Sequence, residues 1–223
     1  IDAGLMGNPG VNITSLACVG SALIIGEGNN YGGGAYSLMA MNINPASGED
    51  YGQITSIDND LGAHGVSGMA IGPDGTTLVV GIPGGRNSTN IAAKDDGKGK
   101  LKIYDLSTLT TGVSGGSIDN PVIVSLPEDG TGVVPQVISA THDPDHFLVS
   151  TVDDYNSGLL TLTLKRGDDG TVESAELKSI DLSQPDKAVL NDRLNIQRAQ
   201  SAVLVERDGV QYAIVSDDNY AFN

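Results

Sequence analysis

The chain has 223 residues, room for one large all-β domain or two small ones. Acidic residues outnumber basic ones by 28 to 12, giving a net charge of −16, and a surface of that sign repels a phosphate backbone and argues against nucleic acid as a partner. With 39% apolar residues but no Trp and only two Phe, the core has to be built from Val, Ile, Leu and Ala.

No run approaches the ~18 apolar residues needed to span a bilayer, so membrane insertion is not expected. The single cysteine, Cys18, excludes an internal disulfide. Its setting, Leu16-Ala17-Cys18-Val19, predicts a small buried core residue. The chain opens on Ile1, not Met, which reads as a mature product or a fragment.

Taken in order, the first predicted strand is Thr14 to Val19, followed by a Gly20-Ser21 turn and the β-branched strand Leu23-Ile24-Ile25-Gly26. Tyr36 to Ile43 and Gln53 to Ile57 follow, separated by Asn44-Pro45-Ala46-Ser47-Gly48. The same order then recurs. Val66 to Ile71, the turn Gly72-Pro73-Asp74-Gly75 and Leu78-Val79-Val80-Gly81 lead to Lys100 to Leu106 and Val122 to Leu126. Gln136 to Thr141, the turn Asp143-Pro144-Asp145 and Phe147 to Ser150 lead to Leu159 to Lys165 and Leu177 to Leu182. A short helical turn fits within Pro185 to Asn195. Last come Ser201 to Val205, Arg207-Asp208-Gly209 and Ala213 to Ser216.

In these turns Pro or Asp starts the reversal and Gly accepts a positive φ. A small residue closes each second strand, at Gly26, Gly81, Ser150 and Ser216. Four antiparallel strands per unit, with the first two apolar throughout and the outer ones alternating toward solvent, is the pattern of a propeller blade. A β-sandwich has strands as closely spaced but does not require this repeat. The fold class expected is therefore all-β, a partial β-propeller with about three complete four-stranded blades plus two strands of a fourth. The blades cover approximately 12–60, 64–128, 134–183 and an incomplete 196–223 within a single unit of 1–223.

That number does not close a ring, because an open stack leaves unpaired edges. The first expectation is a fragment of a longer polypeptide. Two copies joined in a seven-bladed ring, or another all-β arrangement, are the alternatives.

The stretch Gly72-Pro73-Asp74-Gly75-Thr76-Thr77-Leu78-Val79-Val80-Gly81, with Gly99-Lys100-Leu101-Lys102-Ile103-Tyr104-Asp105-Leu106-Ser107-Thr108 after it, resembles the bacterial YVTN-type propeller repeats. The match is good over one repeat and loose over the others, and Leu78-Val79-Val80-Gly81 stands where the Tyr-Val-Thr-Asn box would be. The resemblance implies a secreted or cell-surface propeller, with the periplasm as the alternative location. That class includes binding domains and some lactonase-like enzymes.

In a propeller, the loops from second to third strand and those joining blades open on one face. Three of the former share a feature: Glu27-Gly28-Asn29-Asn30-Tyr31, Asp153-Asp154-Tyr155-Asn156 and Asp217-Asp218-Asn219-Tyr220. Such oxygen donors suit Ca²⁺, which accepts six to eight oxygens in flexible geometry. The expected cation ligands are Glu27, Asn29, Asn30, Asp153, Asp154, Asn156, Asp217, Asp218 and Asn219, with Asp58-Asn59-Asp60 adding to the same rim. Tyr31, Tyr155 and Tyr220, with His64, would form a ligand-binding face for a hydroxyl-rich ligand such as a glycan, or for a protein. The plainer reading is that these residues end strands and make turns.

His142-Asp143-Pro144-Asp145-His146 reads as turn chemistry on the opposite face and not as a metal site. His64 alone is placed to act as a general base, and no nucleophile pairs with it by sequence. Nucleophile-elbow, zinc-helix and phosphate-loop motifs are absent. Two sequons, Asn12-Ile13-Thr14 and Asn87-Ser88-Thr89, are what chance supplies.

The favoured function is a non-enzymatic extracellular or cell-surface binding and scaffold module, mediating adhesion or assembly with a protein, a glycan or neighbouring copies. The rivals are a secreted lactonase-type hydrolase with a metal or His centre on the funnel, and a structural subunit completed by strand addition from a neighbour.

Overall fold

The computed structural model describes residues 12–28, 35–62, 64–84, 99–109, 118, 120–127, 134–152, 157–180, 199–208 and 210–217. The first sheet runs β1 (Asn12–Val19), β2 (Ala22–Gly28), β3 (Leu38–Asn42) and β4 (Ile54–Asp58). The second holds β5 (Gly68–Ile71), β6 (Thr77–Ile82), β7 (Lys100–Asp105) and β8 (Val122–Ser125). The third holds β9 (Val134–Ala140), β10 (His146–Val152), β11 (Ser157–Arg166) and β12 (Val172–Ser179). The pair β13 (Ala199–Arg207) and β14 (Val210–Asp217) completes the described strands.

Within each sheet, neighbours in space are neighbours in sequence and every pairing is antiparallel. The sheets stack face to face with β1, β5, β9 and β13 as successive neighbours at the inner edge, and β8 meets β12 at the outer edge. This is a partial β-propeller of three four-stranded blades and a fourth, two-stranded one.

One pairing position recurs in every blade. Ser15 faces Gly26, Gly68 faces Gly81, Val137 faces Ser150 and Ser201 faces Ser216. The small residue is required because the inner strand of the next blade passes directly over it. A Cβ on Gly81 would sit 2.6 Å from the carbonyl oxygen of Pro135, and one on Gly26 2.7 Å from Met69 Cε and 2.9 Å from Val66 Cγ1. Ser150 fills the same position in the third blade and is buried.

Hydroxyls within two residues of this position on the inner strand bridge the blades. Thr14 Oγ1 donates to Val66 O at 2.6 Å, Ser67 Oγ to Pro135 O at 2.7 Å and Ser139 Oγ to Ala202 O at 2.5 Å. Each such bond contributes about 1 kcal/mol net.

Between blades lie the cores. Ile24, Leu38 and Ile57 of the first blade meet Val66, Leu78, Val80 and Tyr104 of the second. Val79, Leu101 and Ile103 meet Ile138, Phe147, Val149 and Leu162 of the third. Leu148 and Leu159 meet Ala202 of the fourth.

Three sequence expectations need correction. The first two strands of a blade are both apolar in sequence and so expected to be buried alike on both faces. Instead β2 and β6 are buried, whereas β1 and β5 are largely half-buried or exposed, because an innermost strand has a paired neighbour on one edge only. The fourth strand of the third blade begins at Val172, not Leu177, since the turn closes at once with Gly167 N donating to Thr171 O at 2.9 Å. Cys18 is exposed, because it and Leu16 lie on the face of the first sheet turned away from the second blade. The helical turn expected within Pro185 to Asn195 lies outside the described residues.

Replacing Gly81 by Ala is expected to destabilise the protein by about 1–3 kcal/mol, since the backbone of Pro135 has to shift. Gly75→Ala meets no atom within 4 Å and costs only the roughly 1–2 kcal/mol of a left-handed backbone. Urea unfolding of the two variants tests this order.

Candidate functional site

Strands β2, β6, β10 and β14 all finish at one end of the stack, where the blade-joining segments also lie. At the first joint an isolated antiparallel bridge pairs Gly28 with Gly65, and Val66 N donates to Glu27 O at 2.8 Å. Glu27 is buried, and its Oε2 accepts from Ser37 N at 3.0 Å, tying the two strands that flank the loop. His64, one residue before the bridge, is also buried.

Of the residues expected to form the site, Glu27 and His64 thus share one joint beneath the face. Asp217 is the last residue of β14, where its backbone pairs with Ala199. Asn29, Asn30, Tyr31, Asp153, Asp154, Tyr155, Asn156, Asp218, Asn219 and Tyr220 lie outside the described residues. Among the described residues, no three His, Cys, Asp or Glu side chains group as metal ligands do.

Asp58, expected on the rim, is engaged in the blade interface. Its Oδ2 accepts from Lys102 Nζ at 2.9 Å and Tyr104 OH at 2.7 Å, and its Oδ1 from Asp60 N at 2.7 Å. Lys102 also donates to the Asp60 carbonyl at 2.5 Å. Burial pushes the Asp58 carboxyl up, but the bonds from Lys102, Tyr104 and the Asp60 amide outweigh it and hold the group below the ordinary carboxylate value of 3.8. Burial and then the Asp58 carboxylate push the Tyr104 hydroxyl the other way, well above its usual range.

Sequence reasoning missed this clasp. The alternation Leu101-Lys102-Ile103-Tyr104 suggests an outer strand with Lys102 in water, yet Lys102 and Tyr104 are both buried. The available signal was a cationic side chain two residues from a buried Tyr, in a strand following an Asp-rich joint.

A second clasp sits at the opposite end. Arg166, the last residue of β11, donates from Nε to Asp145 at 2.5 Å and from one terminal nitrogen to Asp74 and Thr77 of the second blade, both at 2.9 Å. Asp74 also caps its own turn, accepting from the amides of Thr76 and Thr77 and from the Thr77 hydroxyl. Burial works to raise Asp74, but these bonds and Arg166 leave it below its ordinary value. The His142 to His146 segment is turn chemistry as expected: Asp143 accepts from the Asp145 amide and pairs with His146 at 2.9 Å.

The protein is thus a propeller-type stack whose described charged clusters clamp blade to blade. No family model matches the chain, and no curated protein does. A solved structure, the periplasmic gluconolactonase of Pseudomonas aeruginosa, is similar with a TM-score of 0.44 and 18% identity over 88% of this chain and 47% of that one. The chain therefore spans about half the length of that structure.

Asp58→Ala is expected to cost about 3–5 kcal/mol by leaving Lys102 buried without its counter-charge, while Lys102→Met costs less because Asp58 keeps Tyr104 and the Asp60 amide. The Asp58 carboxyl is lowered in the folded state, so its contribution is complete above the unfolded value and lost as pH falls through the folded one. Below about pH 5 the wild-type melting temperature should therefore fall more steeply with falling pH than that of Asp58→Asn, as read by thermal melts from neutral to acid pH.

Proposed function

We propose that this chain is a binding and scaffold module working outside the cytoplasm, at the cell surface, in the extracellular space or in the periplasm, within a larger protein or assembly. The end where the second strands finish is its recognition face. The observation that supports this reading most directly is the Gly28–Gly65 bridge with its Val66–Glu27 hydrogen bond. It ties the end of β2 to the segment that leads into β5, so the residues that precede one loop and those that join the blades share one base. On this reading Glu27 and His64 support the loops from below. Ligand contact falls to Asn29, Asn30 and Tyr31 and to their counterparts Asp153 to Asn156 and Asp218 to Tyr220.

The acidic and amide content of those loops, on a chain of net charge −16, favours a cation or a hydroxyl-rich ligand. The YVTN-type resemblance of the second blade fits the same placement outside the cytoplasm.

Calcium titration followed by thermal melting tests the reading. Ca²⁺ at roughly 100 times its dissociation constant stabilises the folded state by about 2.7 kcal/mol, a rise of several degrees. Asp153→Asn with Asp154→Asn is expected to abolish the rise without lowering the metal-free melting temperature. An unchanged melt at millimolar Ca²⁺ would remove the cation from the proposal. Turnover of a sugar lactone by the purified chain would overturn the non-enzymatic reading.

A further inference from the structure

The segment His142-Asp143-Pro144-Asp145-His146, which forms the β9–β10 turn, has no part in the recognition face, and it holds the one Asp–Pro bond of the chain. Such a bond joins a carboxylate nucleophile to a tertiary amide whose nitrogen leaves as a basic secondary amine. The turn surrounds it with the groups that a reaction there needs. The Asp143 carbonyl oxygen accepts from two donors, Thr141 Oγ1 at 2.9 Å and His146 N at 3.1 Å. The Asp143 amide donates in turn to Thr141 Oγ1 at 2.9 Å, which fixes that hydroxyl beside the bond. Two donors aimed at one carbonyl oxygen stabilise the negative charge that builds there when its carbon is attacked.

The nucleophile is held as well. Asp143 Oδ1 accepts from the Asp145 amide at 2.9 Å, and Oδ2 pairs with His146 Nδ1 at 2.9 Å. The Asp145 amide first and His146 second hold the carboxyl below its ordinary value of 3.8, so it stays ionised in mild acid. Thr141 is buried, whereas the side chains of Asp143 and His146 are half exposed, so water reaches the bond. Both flanks are anchored: Thr141 N donates to His146 O at 3.3 Å, Leu164 N to Asp145 O at 2.8 Å and Arg166 to Pro144 O at 3.3 Å. The charged and titratable groups bonded to the turn or beside it are His142, Asp145 and His146 of the turn itself, Arg166 on β11 and, paired with Arg166 across the blade interface, Asp74.

We propose that Asp143–Pro144 is a self-cleavage site, which in mild acid converts the chain into two pieces, residues 1–143 and 144–223. One carboxylate oxygen of Asp143 bonds to its own carbonyl carbon, while Thr141 Oγ1 and His146 N hold the carbonyl oxygen. The carbon–nitrogen bond then breaks, and its electron pair leaves with the Pro144 nitrogen, which takes a proton from the His146 imidazolium. Water opens the cyclic anhydride left on Asp143, giving its side-chain carboxyl and a new C-terminal one and returning a proton to His146. Water is the sole co-reactant. The β9–β10 ladder keeps the two pieces paired within the third blade. The site is at the end opposite the recognition face and does not rest on that reading.

Incubation of the folded chain at about pH 5 and about pH 8, followed by intact mass in denaturant, tests the proposal. The expected result is an intact chain at the higher pH and, at the lower, two pieces whose masses sum to that of the chain plus one water. The rate is bell-shaped in pH, lost upward as His146 gives up its proton and downward as Asp143 takes one. Hydroxylamine opens the anhydride in place of water and leaves a hydroxamate on the 1–143 piece. Asp143→Asn is expected to abolish cleavage, and Thr141→Val and His146→Gln each to slow it about 10-fold or more, whereas Thr141→Ser keeps the rate. The unaltered chain in urea, its donors dispersed, is expected to cleave at least about 10-fold more slowly than the folded one. Equal rates in urea and buffer, a rate that only climbs with acid, a 1–143 piece free of hydroxamate, or a chain still intact after days in mild acid would overturn the proposal.

Discussion

The arrangement rests on how closely the backbones of successive blades approach at the inner edge. Over Gly81 the chain of the next blade passes at a distance that leaves no room for a methyl group. That proximity brings hydroxyls on Thr14, Ser67 and Ser139 within reach of carbonyls on the neighbouring strand, giving acceptors that their own sheets leave open a partner. It also sets the spacing at which Ile24, Val79 and Leu148 fill the gaps between sheets. Without the small residue the sheets would stand apart, and both the polar bridges and the apolar packing would weaken together.

Charge is used sparingly within this stack and at its opposite ends. Lys102, Tyr104 and Asp58 lock the first interface near the end where the second strands finish, while Arg166 reaches across the second near the hairpin turns. Apolar faces alone are tolerant of sliding, because one Val or Ile packs nearly as well as another. An ammonium that must meet one carboxylate and one carbonyl is not tolerant, so the ion pairs define how one blade is set against the next. The desolvation that they cost is offset by bonds from several directions to each charge.

Much of this was legible in the sequence because strand order, turn chemistry and small closing residues are local features. Pro73-Asp74-Gly75 predicts its hairpin, and the recurrence of Gly26, Gly81, Ser150 and Ser216 marks the blades. What those small residues are for was not legible, since the carbonyl that excludes a side chain at Gly81 comes from Pro135, far along the chain. Lys102 was misplaced for the same reason: alternation reports which side of its own sheet a residue takes, not whether another sheet covers that side. Cys18 failed in the other direction, as an apolar run suggests burial but cannot reveal that its side chain takes the face turned away from the second blade. Of the candidate site, the positions of Glu27 and His64 at one joint follow from topology, whereas their burial depends on the Gly28–Gly65 bridge, which no local pattern announces.

Every hydroxyl bridge and both clasps connect a blade only to its immediate neighbour in sequence. Stability in such a stack propagates from neighbour to neighbour, as it does in linear arrays of repeats. A blade leaving the ribosome can therefore dock on the one made just before it, without waiting for distant chain. The newest blade then presents its trailing face until the next one docks on it.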